Sequence, residues 1–183
     1  MRLVILLGTA AIALPFVISS VAPTSVVGSA VANRFLERSK TIPPEPQAAP
    51  VPIDESHLRA WVTSEDTAAY AHAYAWRVMP LDFIYLVVLG GFLALGAYTL
   101  ASAVAWPPPL ARLPLWIWLI FPAVYVIADF AEDFLIILLM TQPSRISSLT
   151  VDALTFLRNA KIGSNIVAIT QIFVLGLAGA IWR

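Results

Sequence analysis

Leu115-Trp-Ile-Trp-Leu-Ile-Phe-Pro-Ala-Val-Tyr125-Val-Ile-Ala-Asp129-Phe-Ala-Glu132-Asp133-Phe-Leu-Ile-Ile-Leu-Leu-Met140 is the stretch on which the fold turns. It exceeds the ~20 apolar residues that a helix needs to cross a bilayer, yet it carries three carboxylates. Spacings of three and four put Asp129, Glu132 and Asp133 on one helical face, with Tyr125 one turn ahead of them. An acid at the centre of a spanning helix costs ~2.5–3.5 kcal/mol, so three cost roughly 9 kcal/mol. Each Leu, Ile, Val or Phe returns about 0.3–0.6 kcal/mol, and the segment nearly breaks even. Insertion then requires the acids to be off-centre, protonated or partnered.

Working outward, two more apolar segments flank this one. Segment two, 81–106, ends at Trp106-Pro-Pro-Pro109, where no helix can continue. Segment three is the quoted 115–140, and Pro122 inside it predicts a kink. Segment four is 161–182, with an earlier start near Thr150 open because Asp152 suits a first helical turn. Segment two begins, segment three ends and segment four begins on one side of the membrane. Asp129 then lies ~18 Å and Asp133 ~12 Å from the end of segment three. On segment four, Arg158, Lys161 and Asn165 repeat at three and four and form a polar stripe. Asp82 opens segment two, just after Arg77. The expectation is one polar cluster of Asp82, Asp129, Glu132, Asp133, Arg158, Lys161 and Asn165. Gln171 reads as an interhelical hydrogen-bond partner. Gly176 and Ala180, four apart, let helices approach closely.

The N-terminal part is different. Residues 1–22 have a basic start and an apolar run, and they read as a signal anchor or a signal peptide. Ala30-Val31-Ala32 lies far from the apolar run for a cleavage site, and Pro23 opposes cleavage after Ala22, so the uncleaved anchor is favoured. Residues 23–62 are a polar linker with Pro43, Pro44, Pro46, Pro50 and Pro52, which predicts an extended connector. Residues 63–80 predict a juxtamembrane amphipathic helix. Thr63 or Ser64 would cap it, Glu65 and Asp66 would sit in its first turn, and Tyr70, Tyr74, Trp76 and Arg77 would lie at the interface. His72 reads as interfacial or solvated, and Trp116 and Trp118 as a belt at the opposite membrane face.

Composition agrees with a membrane chain: 60% hydrophobic and 12% charged, against roughly 45–50% and 25% in soluble domains. Lys+Arg and Asp+Glu are both 11, so no basic patch points to nucleic acid. Without cysteine there is no disulfide, thiolate metal site or Cys nucleophile, and neither His57 nor His72 falls in a span. Orientation is contested. Arg34, Arg38, Lys40, Arg59, Arg77, Arg145, Arg158 and Lys161 share one face, and Arg2, Arg112 and Arg183 the other. A raw count puts the first group in the cytoplasm, but long loops weaken the rule and the first segment often dominates. Arg2 before segment one favours residues 23–80 outside.

The polar residues carry a resemblance. Pro80-Leu81-Asp82-Phe83-Ile84-Tyr85, Ala128-Asp129-Phe130-Ala131-Glu132-Asp133 and Thr155-Phe156-Leu157-Arg158 resemble short motifs of a family of small bacterial multi-pass membrane proteins of unassigned function. That pattern has Asn where Asp133 stands, and Lys where Arg158 stands, with Lys161 one turn on. The resemblance implies a helical membrane fold and brings no activity.

The fold expectation is therefore an all-α membrane protein: three transmembrane helices (81–106, 115–140, 161–182) within 81–183, a signal anchor and a juxtamembrane helix, multi-pass in the cell membrane. No cofactor or metal is expected, because cations beside the acids would compete with a bound metal. The leading functional expectation is a non-enzymatic scaffold or modulator of a membrane complex, its partners the lipid bilayer and a membrane protein or second copy. The alternatives are a transporter or channel component for a proton, cation or polar solute, and a lipid-acting membrane enzyme.

Overall fold

The computed structural model describes residues 2–21, 55–65, 68–108 and 110–182. Ala30-Val31-Ala32, the Pro-rich run, Asp66 and residues 23–54 of the linker lie outside the described residues. Among the described residues every regular element is helical. The α-helices are α1 (Arg2–Val21), α2 (Glu55–Thr63), α3 (Ala68–Ala73), α4 (Met79–Ala103), α5 (Ile120–Thr141) and α6 (Ser148–Ile181).

Two stretches are long and apolar enough to cross a membrane, Tyr74–Ala103 and Ser148–Ile181. The expectation of three such helices is corrected by α5. It has 22 residues, but every 18-residue window within it contains Asp129, Glu132 and Asp133. Those three charges offset most of what its aliphatic residues contribute. In α1 the apolar stretch covers Arg2–Ile18, at the lower limit of the ~17–25 residues that a span takes.

Local sequence explains where the helices begin. A π-helical turn, Tyr74–Val78, joins α3 to α4 directly ahead of Pro80. Proline lacks the N–H for an i→i−4 bond and its ring crowds that carbonyl, so a widened turn at this point relieves both. Pro122 sits in the first turn of α5, where its missing N–H would have no helical partner. The expected interior kink is replaced by a change from the 3₁₀ turn Leu115–Leu119 to α-helix just before it. The last helix starts at Ser148, well ahead of Lys161. Ser147 and Thr150 cap it reciprocally: the Ser147 N–H donates to Thr150 Oγ1 at 2.9 Å, and the Thr150 N–H donates to Ser147 Oγ at 3.3 Å.

The chain forms two compact units, and α1, α4, α5 and α6 contribute to both. The first comprises Met1–Leu14, Ile84–Phe130 and Asn159–Arg183. Within it α1 runs antiparallel to α4, with Val4 beside Gly96, Leu7 beside Gly91 and Phe92 over Gly8. On α4, Gly90 faces Val126 of α5 so closely that a Cβ there would run into the valine side chain. Ala97, Ala101 and Leu175 are fully buried, with Leu100, Trp106, Leu115 and Trp118 packed against them. Trp106 stacks on Trp118 at 5.3 Å and donates its indole N–H to Ala101 O at 2.8 Å.

The second unit comprises Pro15–Phe83 and Ala131–Arg158. Its core joins Leu58 and Val62 of α2, Ala71, Tyr74, Ala75 and Met79, and Ile136, Leu139, Met140, Ile146, Val151 and Leu154. Glu55–Thr63 is thus a helix where the polar linker was expected, and Thr63 ends a helix instead of capping the start of one. Leu58 and Val62, four apart, give α2 the apolar face that it buries. Arg59, on the same helix, donates to the carbonyls of Pro143 and Ile146 in the α5–α6 turn while pairing with Glu55 at 2.9 Å. Tyr74 turns into this core, while Trp76 and Arg77 stand exposed.

Candidate functional site: the carboxylates of α5

An α-helix repeats every 3.6 residues, so Asp129 lies one turn before Glu132 and Asp133 on one face of α5 whatever packs around them. In the first unit, Asp129 is 4% exposed and its Oδ1 lies 2.5 Å from Lys161 Nζ on α6. In the second unit, Glu132 is 2% exposed and Arg158 Nε donates to its Oε1 at 3.2 Å. A step of three forward on α5, from 129 to 132, is matched by a step of three backward on α6, from 161 to 158. That is the register of antiparallel helices.

Asp133 is 1% exposed, in the second unit. Asp82, also in the second unit, is half-buried at the start of α4. Asn165 is half-buried on α6 in the first unit, and among the described residues its Oδ1 finds no hydrogen-bond partner. Tyr125 is buried one turn ahead of Asp129. Two acids are therefore brought onto two cations, each pair within one unit.

Removing a carboxylate and an ammonium from water costs several kcal/mol per ion, and their attraction repays this only in good geometry. The Arg158–Glu132 contact at 3.2 Å is also a hydrogen bond, whereas Lys161 and Asp129 approach to 2.5 Å as an ion pair without one. Such pairs neutralise each other and fix helix register. Each pair engages one oxygen of its carboxylate, Asp129 Oδ1 and Glu132 Oε1. Among the described residues no group of three His, Cys, Asp or Glu is placed to hold a metal ion. His72 is exposed, with its ring 6.3 Å from that of Trp76.

Gln171 of α6 donates from Nε2 to Trp118 O at 2.6 Å, in the 3₁₀ turn leading into α5. Replacing it with leucine should cost about 0.6 kcal/mol, the average for interhelical side-chain hydrogen bonds in membrane proteins. Unfolding in detergent micelles reads this directly, and a loss as large as that from breaking an ion pair would mean that Gln171 does more than bridge.

Sequence reasoning missed three features. Arg59 clasps the α5–α6 turn. The Ala105 N–H donates to Trp182 O at 2.9 Å, joining the ends of α4 and α6. Trp106, Trp118 and Trp182 gather around that junction, with Trp106 and Trp182 at 6.1 Å. The signal for the third was present: a Trp at the end of segment two, at the start of segment three and at the end of segment four. Comparison with protein-family models, curated proteins and solved structures returns no match.

Proposed function

We propose that the chain is a multi-pass integral protein of the cell membrane that acts without catalysis, as a scaffold or modulator of a membrane complex. The observation that carries this reading is the internal pairing of Asp129 with Lys161 and of Glu132 with Arg158. A partnered acid no longer carries the full insertion cost, so α5 can join the two more apolar stretches as a third span. A conduit would want its carboxylates facing a wet path, whereas Asp129, Glu132 and Asp133 are buried, the first two against Lys161 and Arg158. The packing of Val4 and Leu7 on α4 supports a retained N-terminal anchor. With Arg2 held inside, residues 23–80 lie outside. The alternative of a proton or cation path is favoured by the buried Oδ1 atoms of Asn165 and Asp129, neither of which accepts a hydrogen bond among the described residues.

Reporter fusions at Pro46 and Arg183 test the span count by parity. Three crossings between them put Pro46 outside and Arg183 inside. Two crossings, by Tyr74–Ala103 and Ser148–Ile181 alone, put both on one side and remove α5 from the membrane. Alkaline carbonate extraction should leave the protein in the membrane pellet. Reconstituted vesicles separate the two functions: no ion flux is expected, and flux that Asp129→Asn abolishes would establish the path instead of the scaffold.

A further inference from the structure

We infer that the tryptophan-lined end of the first unit is a seat for one anionic phospholipid, its acyl chain in an apolar groove and its phosphate held by arginine. This rests on the membrane reading above. The groove, of about 430 Å³, is lined by Trp106, Leu110, Trp118, Leu177, Ile181 and Trp182 among others, and its lining is wholly apolar. The stacked Trp106 and Trp118 rings and the Ala105–Trp182 backbone bond give it a built wall at the ends of α4 and α6. The Trp106 indole N–H is already given to Ala101 O, so that ring offers the groove only its apolar body.

Charge decides the headgroup. The first unit contains a single acid, Asp129, which Lys161 neutralises. Its other charged side chains are all arginines. Arg112 is exposed in the short turn Leu110–Arg112, whose first residue lines the groove. Arg2 is exposed at the start of α1, and the pairing of Val4 with Gly96 and of Leu7 with Gly91 brings it toward the C-terminal end of α4, the end that leads to Trp106. An apolar slot in a unit whose own side chains leave arginine in excess of acid selects a ligand that is both greasy and anionic. Tryptophan at the boundary between acyl chains and headgroups is the arrangement that bilayers favour.

The test uses the full chain with Trp61→Phe, Trp76→Phe and Trp116→Phe, which leaves three of the six tryptophans, all lining the groove. It is reconstituted into phosphatidylcholine vesicles containing a low fraction of bromine-labelled acyl lipid, either phosphatidylglycerol or phosphatidylcholine. Brominated phosphatidylglycerol should quench the groove tryptophans at the lower mole fraction. Arg112→Gln should reduce that preference by about five-fold, the worth of one arginine near an anionic headgroup. Equal quenching by the two lipids, or a preference that survives Arg2→Gln with Arg112→Gln, overturns the seat while leaving the membrane reading intact. A protein that fails to float with the vesicles overturns both.

Discussion

Lys161→Met will destabilise the protein by about 3 kcal/mol, at the low end of the 3–5 kcal/mol typical of breaking a buried ion pair. The loss comes less from the missing attraction than from what remains, an Asp129 carboxylate only 4% exposed with its cation gone. The lysine keeps some access to the surface, which is why the low end applies. Removing both charges is a different experiment. Asp129→Leu with Lys161→Met should be neutral or stabilising, because a well-packed apolar pair avoids the desolvation of two ions. The swap Asp129→Lys with Lys161→Asp should recover part of the single-mutant loss. Arg158→Met should behave alike in the second unit, where Glu132 is equally buried. Unfolding by denaturant in detergent micelles measures all of these. A Lys161→Met protein as stable as its parent would show that the pair does not hold α5 and α6 in register, and with it would go the main support for α5 as a span.

The second large effect is at Gly90. Gly90→Leu should cost about 3 kcal/mol, the upper part of the range for overpacking a filled interior. Leucine is the better helix former by somewhat under 1 kcal/mol, so propensity alone predicts the opposite sign. Packing wins because a Cβ at this position already meets the Val126 side chain on α5. Val126→Ala in the same chain should return a substantial part of the loss. Gly163→Ala is the control, since nothing lies within 4 Å of a Cβ there. It should be neutral or mildly stabilising by unfolding midpoint. A Gly90→Leu protein indistinguishable from that control would mean that α4 and α5 do not approach as described.

Much of the helical fold was legible because apolar blocks broken by prolines announce themselves without any neighbour. The break at Trp106-Pro-Pro-Pro109 falls between α4 and α5, and the acids of α5 and the bases of α6 stood out by spacing alone. Less legible was whatever depended on a partner. The α2 helix was hidden within a polar-looking linker because its two buried residues, Leu58 and Val62, are too few to make a pattern until they join Ile136, Leu139 and Val151 in one core. Tyr74 and Trp76 look alike as interfacial aromatics, yet one is core and the other exposed. Pro122 signals a kink in isolation, and only its place in the first turn of α5 removes the need for one.

The stretch from Leu115 to Met140 holds the same division. Helical periodicity by itself determined that Asp129, Glu132 and Asp133 share a face, and transfer energies determined that this face needs partners or protons to enter a membrane. Neither could say which cation answers which acid. Lys161 meeting Asp129 and Arg158 meeting Glu132 required the antiparallel register of α6 on α5, which Gln171 on Trp118 O also fits. Register is a relation between two helices, set by side chains that touch across them. Periodicity is a property of one helix, and one chain segment read alone contains no information about where its neighbour's turns will fall.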